Sequence, residues 1–500
     1  MEKEEKKKKR RKLRHCSHQS SKSGCSIDKL PDDVISSILS NVTIKEAVRT
    51  SVLSRRWRHL WRRASSDFIF DLTNSKQGIV NDKNVMRAMK KCMKSQSRQT
   101  SYLDKFIIRF NFNNPRYGHK WPDYNVNDVL IRDWIRFAIQ KKVRVLQLAA
   151  IYKNHQPDYG SNFDQRFLDL INEKFTIPRE IAVEAATSGC CFGSLTSLKL
   201  DNCKLEDEVM DYFLSNSPSL QNLSLIRVGG IKNLNIVHNP RLEFLSLRDC
   251  KDREMEKMKI SAENLASFEY FSYRGNMSHI CFENAPRLKT LIMGDTAYLR
   301  SFTYETRLHR VYSKQLENIV MHLSPEEDFY FTLYHSRRPN FPSLRSLKQL
   351  EMFITTSPGA SFLYYVACVG ECRFLSNLSV QFLYEDSPFW TGLHMCTYTC
   401  RTRKQIKKLE KRASQLSLNH LKVVRLTDFN GDREQVEFAE KLVQMCKSLE
   451  KLIIKPKRAD NSVTGTDHGD EQNARIIVLN DATKQMIAAN LGANVGLVIE

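Results

Sequence analysis

Cysteine and histidine are the residues here whose types and spacing come closest to chemistry. Cys368-x-x-x-Cys372, followed by His394, Cys396 and Cys400, offers five soft ligands in one region. Zinc takes four such ligands in a tetrahedron, but its ligand pairs usually bracket a tight turn. Cys368 and Cys372 instead stand in FLYYVACVGECRFL, an apolar stretch leading toward a strand. There a cysteine acts as a small buried hydrophobe, so the reading is core packing and no metal. The sequence has no G-x-x-x-x-G-K to cradle phosphate and no H-E-x-x-H helix. Nor does it have the paired Cys/His ladder of a ring finger. No Ser/His/Asp set is recognisable without a fold to assemble it. The five tryptophans and the stretch DFYFTLYH read as packing. The expectation is a non-catalytic protein that needs no cofactor and works by contact.

Two kinds of element would have to position such contacts. The first is LPDDVISSILSNVTIKEAVRTSVLSRRWRHLW, residues 30–61. Pro31 suits the first position of a helix, where its missing N–H costs nothing. Asp32 and Asp33 then favour the positive end of the helix dipole. Val34, Ile35, Ile38, Leu39 and Val42 form one apolar stripe. Thr43-x-x-Glu46 is a capping box opening a second helix with Ile44, Ala47, Val48 and Val52. Ser54 can cap a third, bearing Trp57, Leu60 and Trp61. Three helices of about two turns each cannot keep their apolar stripes dry unaided. A partner protein and the following domain are the two candidates for the missing surface.

The second element is a rhythm of apolar, two variable, apolar, one variable, apolar. It runs through Leu195/Leu198/Leu200, Leu220/Leu223/Leu225, Leu242/Leu245/Leu247, Leu265/Phe268/Tyr270 and Leu288/Leu291/Met293. It returns at Leu316, Leu347, Leu375, Leu421 and Leu449, with degenerate earlier copies at Leu103 and Val143. Starts from 195 to 375 fall 25, 22, 23, 23, 28, 31 and 28 residues apart. Leucine-rich repeats recur every ~20–29 residues, and stacked units supply one another's core. An extra match, Ile231/Leu234/Ile236, is expected as an extended segment on the convex face. Residues 296–346 and 381–420 read as insertions. Residues 421–456 read as strand, Asn430-Gly431 turn, helix, strand, with Val436, Phe438, Ala439, Leu442, Val443 and Cys446 on the helix's inner side.

Composition narrows the partners. The formal charge is +22, and residues 1–22 hold ten Lys or Arg against three Glu. Lys6–Lys12 fits a nuclear-import signal, so the expected location is nucleus, cytoplasm or both. Thirteen scattered cysteines argue for reduced thiols. No run of about 18 apolar residues suggests a membrane span. A nucleic-acid reader would show a groove-entering module or interleaved aromatics and basics; neither is evident, and nucleic acid stays the less favoured partner.

Leu30-Pro31-Asp32-Asp33 and Val52-Leu53-Ser54-x-x-Trp57 with Trp61, followed by the repeats and the 421–456 block, resemble plant proteins combining an F-box, leucine-rich repeats and an FBD segment. The resemblance covers most of residues 27–456. It implies an α/β fold: a three-helix F-box, then an irregular leucine-rich-repeat solenoid with a parallel sheet on its concave face, then a C-terminal FBD cap. The expected divisions are 1–26, a basic disordered tail; 27–66, F-box; 67–410, solenoid with insertions; 411–456, FBD; and 457–500, a linker and an unassigned tail. The resemblance further implies a substrate receptor of an SCF ubiquitin ligase. Its F-box would dock on a Skp-type adaptor, reaching cullin and ring-finger subunits through it. Leu30, Pro31, Ile35, Leu39, Val48, Leu53, Ser54 and Trp57 are the adaptor contacts expected by position. Ile38 and Trp61 are left to face inward or toward the repeats. A protein substrate is expected on the variable strand positions, among them Gln221, Asn222, Ser224, Glu243, Phe244, Lys289, Lys348, Gln349 and Glu351. The alternative function is a leucine-rich scaffold acting outside a ligase.

Overall fold

The structure is a computed structural model. It describes residues 30–40, 46, 49–57, 60, 67–71, 89–94, 103–112, 128–152, 175–183, 192–237, 239–250, 255–271, 280–294, 314–323, 344–356, 362–370, 372–384, 417–457, 485 and 495–499. The chain divides into two units, residues 1–66 and 67–500.

In the first unit, α1 (Asp32–Ser40) begins directly after Pro31 and carries both aspartates in its first turn. Ile35 and Leu39, four apart, are buried, as i, i+4 spacing on one helix face requires. A single 3-10 turn covers Thr50–Val52. Ser54 then caps the next helical turn, its Oγ accepting the Trp57 N–H at 3.3 Å. Glu46 is helical; the rest of the Thr43 capping box lies outside the described residues, as do Val42 and Trp61.

The second unit is a ladder of parallel strands. In chain order these are β1 (Asp67–Asp71), β2 (Lys105–Phe112), β3 (Val145–Tyr152), β4 (Ser197–Asp201), β5 (Asn222–Ile226), β6 (Asn233–Ile236), β7 (Phe244–Arg248), β8 (Lys257–Ser261) and β9 (Ser267–Phe271). There follow β10 (Ile280–Asn284), β11 (Thr290–Gly294), β12 (Asn318–Leu323), β13 (Gln349–Thr356), β14 (Asn377–Tyr384), β15 (Val423–Phe429), β16 (Lys451–Pro456) and β17 (Gly496–Ile499). Fourteen of them form one sheet in sequence order, while β6, β8 and β10 leave it to form a separate three-stranded sheet.

The main register is set by the leucines. Leu198, Leu223, Leu245, Phe268, Leu291, Ile319, Leu350, Leu378, Val424 and Leu452 are aligned rung by rung, and all are buried. The next apolar position, Leu200 through Ile454, forms a second buried row. Successive strand residues point to opposite faces, so a one-residue slip would turn both rows to water. The small sheet contains the Ile231 match: Leu234 and Ile236 are buried in β6, away from the main ladder.

Helices fill the crossovers. α2 (Asp128–Gln140), between β2 and β3, buries Trp134 and Phe137, and Phe137 meets Phe106 at 5.4 Å. α3 (Asp207–Ser215) follows β4 and buries Met210 and Phe213. α4 (Leu363–Gly370) and α5 (Arg433–Met445) pack on each other. Between them Phe362, Phe382, Phe429 and Phe438 gather with ring centroids 5.7–6.3 Å apart. The α5 helix buries Val436, Phe438, Ala439, Leu442 and Val443. Its turn is held by Gln435, whose Oε1 accepts the N–H groups of Asn430 and Gly431.

The sheet extends beyond the recognisable repeats at both ends. The sheet begins before the recognisable repeats, because β1 pairs with β2. It also continues past the FBD block, because β17 pairs with β16. Residues 421–456 supply two rungs and a helix of the same sheet, and β17 adds a further rung beyond them. Parallel strands need only backbone pairing and a few apolar residues to join, and Phe68 in β1 supplies one.

Candidate functional site

The first unit sorts its apolar residues into two sets. Ile35, Leu39, Trp57 and Leu60 are buried within the chain. Val34 is 43% exposed, Ile38 45%, Val52 87% and Leu53 60%. Pro31 is exposed, and Leu30 and Ser54 are half-buried. One side chain ties the two halves of the motif together. Arg56 Nε donates to Asp32 Oδ1, and its terminal nitrogen donates to the Leu30 carbonyl at 2.6 Å. LPDD and LSRRW are thereby fixed against each other.

Of the expected adaptor contacts, Ile35, Leu39 and Trp57 are buried in the chain, while Pro31 and Leu53 are exposed. Ile38, left to face inward or toward the repeats, is 45% exposed. Val48 lies outside the described residues.

The solvent-facing side of the main sheet is built from three aligned rows. The strand positions between the buried leucines give two: Asn222, Phe244, Gln349 in one, and Lys199, Ser224, Ser246, Glu269, Glu351 in the next. A third row continues one step past the last leucine. It runs Asp201, Ile226, Arg248, Phe271, Gly294, His322, Phe353 and Gln381.

An aromatic cluster occupies the middle of that third row. Arg248 pairs with the buried carboxylate of Glu269 and stands 4.8 Å over the Phe271 ring. Phe271 meets His322 edge to face at 5.0 Å, although Gly294 separates them on the ladder. Strands are spaced by about 4.8 Å, so rings two rungs apart meet only by leaning over a position with no side chain. A Cβ on Gly294 would collide with the Phe271 ring. His322 in turn stacks flat on Phe353 at 4.4 Å. Burial holds the His322 imidazole below its ordinary pKa, Arg248 adds to the depression, and Glu269 opposes both.

The predicted substrate positions divide. Asn222, Ser224, Phe244, Gln349 and Glu351 lie on this face. Gln221, Glu243, Lys289 and Lys348 do not: each is the residue before its strand, where the turn enters the ladder. With Leu223 and Leu225 inward, alternation sends 222, 224 and 226 outward; position 221 belongs to the turn. The same argument marks the third row, which the sequence pattern omitted.

Comparisons with known proteins agree with both units. The leucine-rich-repeat family described as At1g61320/AtMIF1, LRR domain, matches residues 119–491. The F-box domain family matches residues 27–68. The chain belongs to the F-box/leucine-rich-repeat family of plant proteins. Among its Arabidopsis thaliana relatives, F-box/LRR-repeat protein 25 is 28% identical over 52% of this chain and 90% of its own length. F-box/LRR-repeat protein At5g02910 is 30% identical over 48% of this chain and 46% of its own. The F-box/FBD/LRR-repeat protein At3g49030 is 26% identical over 59% and 62%. The match thus spans about half the length of some of these relatives.

In this F-box/leucine-rich-repeat protein Cys372 is buried beside α4. Cys368 lies within the helix Leu363–Gly370, and His394, Cys396 and Cys400 lie outside the described residues. Among the described residues no three His, Cys, Asp or Glu side chains are grouped to hold a metal.

Proposed function

We propose that this F-box/leucine-rich-repeat protein is the substrate receptor of an SCF-type ubiquitin ligase. The observation that supports this reading is the exposed apolar surface of its F-box: Val34, Ile38, Val52 and Leu53, beside Leu30, Pro31 and Ser54. Apolar area of that kind gains about 25 cal/mol per Å² when a partner covers it. A Skp-type adaptor is the partner the F-box calls for, with cullin and ring-finger subunits beyond it. Ile35, Leu39 and Trp57 shape the surface from beneath.

The solvent face of the main sheet holds the substrate, centred on the Arg248–Phe271–His322–Phe353 cluster and reaching Ser224, Phe244 and Gln349. Half-buried aromatics beside an exposed arginine are residue types enriched at protein interfaces. The receptor contributes no acid, base or nucleophile. It converts an encounter between substrate and charged conjugating enzyme into an intramolecular one.

The test is co-expression of the full chain with a Skp-type adaptor. The wild type is expected to co-purify with it, and Val52→Asp/Leu53→Asp is expected to lose capture by at least about a hundredfold, roughly 2.7 kcal/mol. Both residues are exposed, so the variant's melting temperature should be unchanged. A wild-type chain that folds yet ignores the adaptor would end the ligase reading and favour the scaffold.

A further inference from the structure

The rim of the main sheet where the strands begin carries a second, chemically different surface. Over β11, β12 and β13 it forms an open groove of about 460 Å³. Lys289, Lys314, Arg345 and Lys348 line it, against one carboxylate, Glu317. Glu317 is shared: Lys289 Nζ approaches it to 2.9 Å and Lys348 Nζ to 3.0 Å. Those two bonds hold its carboxyl below the usual range. Lys314 and Arg345 have no carboxylate partner among the described residues.

At the first position of the turn that opens each rung, the basic residues are clustered, although Arg241 and Arg287 occupy the second turn position of earlier rungs. Each rung begins with a tight turn, and its first residue is Gly193, Pro218, Pro240, Glu263 and Pro286 in the rungs from β4 to β11. In the next three rungs the same position becomes Lys314, Arg345 and Arg373. Three cations then stand one per rung, at about 4.8 Å intervals. An apolar wall accompanies them: Pro286 is exposed, and Phe374 is 49% exposed with its ring stacked on His420 at 5.5 Å.

We infer that this groove docks an acidic segment of a protein partner, extended across the rungs, with an apolar residue against Phe374. Charge complementarity selects the sign of the partner. The shape selects a peptide over a free anion, which would use two cations and leave the apolar wall bare. Glu317 at the centre selects against a nucleic-acid strand, whose unbroken phosphates would meet it directly. Carboxylates on alternate peptide residues pass to either side of it. This surface belongs to the unit of residues 67–500 and uses other residues than the sheet-face cluster, so it stands without the ligase reading.

The experiment uses the full chain and a fluorescent glutamate-rich peptide of about twelve residues, long enough to span three rungs, with one phenylalanine. Anisotropy should report binding that weakens at least about tenfold in Lys314→Glu/Arg345→Glu. A control of equal charge change, Lys232→Glu/Arg241→Glu, uses exposed residues of earlier rungs and should bind as the wild type. Glu317→Gln should bind more tightly, because it frees Lys289 and Lys348. Circular dichroism checks that each variant folds. Absence of binding, equal loss in both double variants, or weaker binding by Glu317→Gln would overturn the proposal. So would an RNA oligomer of similar length that binds more tightly and is lost with the same two residues.

Discussion

The F-box and the solenoid solve one problem in opposite ways. Both are made of short pieces that cannot bury their own apolar residues. In the solenoid each rung is covered by the next, and Leu198 through Leu452 end fully buried with no outside help. Among the described residues of the F-box, Ile35, Leu39, Trp57 and Leu60 are covered, while Val34, Ile38, Val52 and Leu53 remain in water. Repetition lets a chain finish its core internally; a single small motif leaves part of its surface for another polypeptide. The difference teaches where to look for obligate partners, namely at elements that lack a repeat to stack on.

The sharpest way to break this comparison is within α1. Leu39→Ala removes a buried side chain and should cost about 2–5 kcal/mol, read as loss of the F-box's helical signal at lower temperature. Val34→Ala, on the exposed side of the same helix, should stay within about 0.5 kcal/mol while weakening adaptor capture. Equal stability losses at both positions would mean that the two sets are not distinct.

The solenoid offers a smaller effect. Gly294→Val puts a side chain where Phe271 and His322 lean together, and overpacking of this kind costs about 1–3 kcal/mol. Thermal melting should show that loss, and the Phe271–His322 contact should disappear from aromatic NMR spectra. A neutral substitution would mean that the rings do not depend on the gap.

The smallest effect is protonation. The folded pKa of His322 lies below its ordinary 6.5, so the unfolded chain takes up the proton first. The stability this provides is complete above about pH 6.5 and is lost as pH falls from there toward the folded pKa. Arg248, Glu269, Phe271 and Phe353 are the groups around the imidazole. As pH falls below about 6.5 the wild type should lose stability that His322→Phe keeps, read as a steeper fall in melting temperature. Identical pH profiles would remove His322 from the account.

Some of this was legible beforehand. The apolar period located the inward rows from β2 to β16, because alternation and leucine spacing leave one register possible. The segment at Ile231 was placed off the main sheet for the same reason. β1 and β17 escaped, since a strand at a ladder's end needs little more than backbone pairing. The third row of the face escaped because the motif stops at its last leucine while the strand does not. In α1 the stripe Val34, Ile35, Ile38, Leu39 was visible, but a stripe does not say which half its own neighbours will cover.

The sequence alone determined the repeat, its register and the need of the first helices for outside surface, because these follow from local spacing and from the area a short segment can bury. Only the tertiary structure decided which apolar residues of the F-box face water, that Phe271 and His322 meet over Gly294, and that Lys314, Arg345 and Arg373 line one rim. Those facts depend on residues distant in sequence being brought onto neighbouring rungs, and no local pattern encodes that distance.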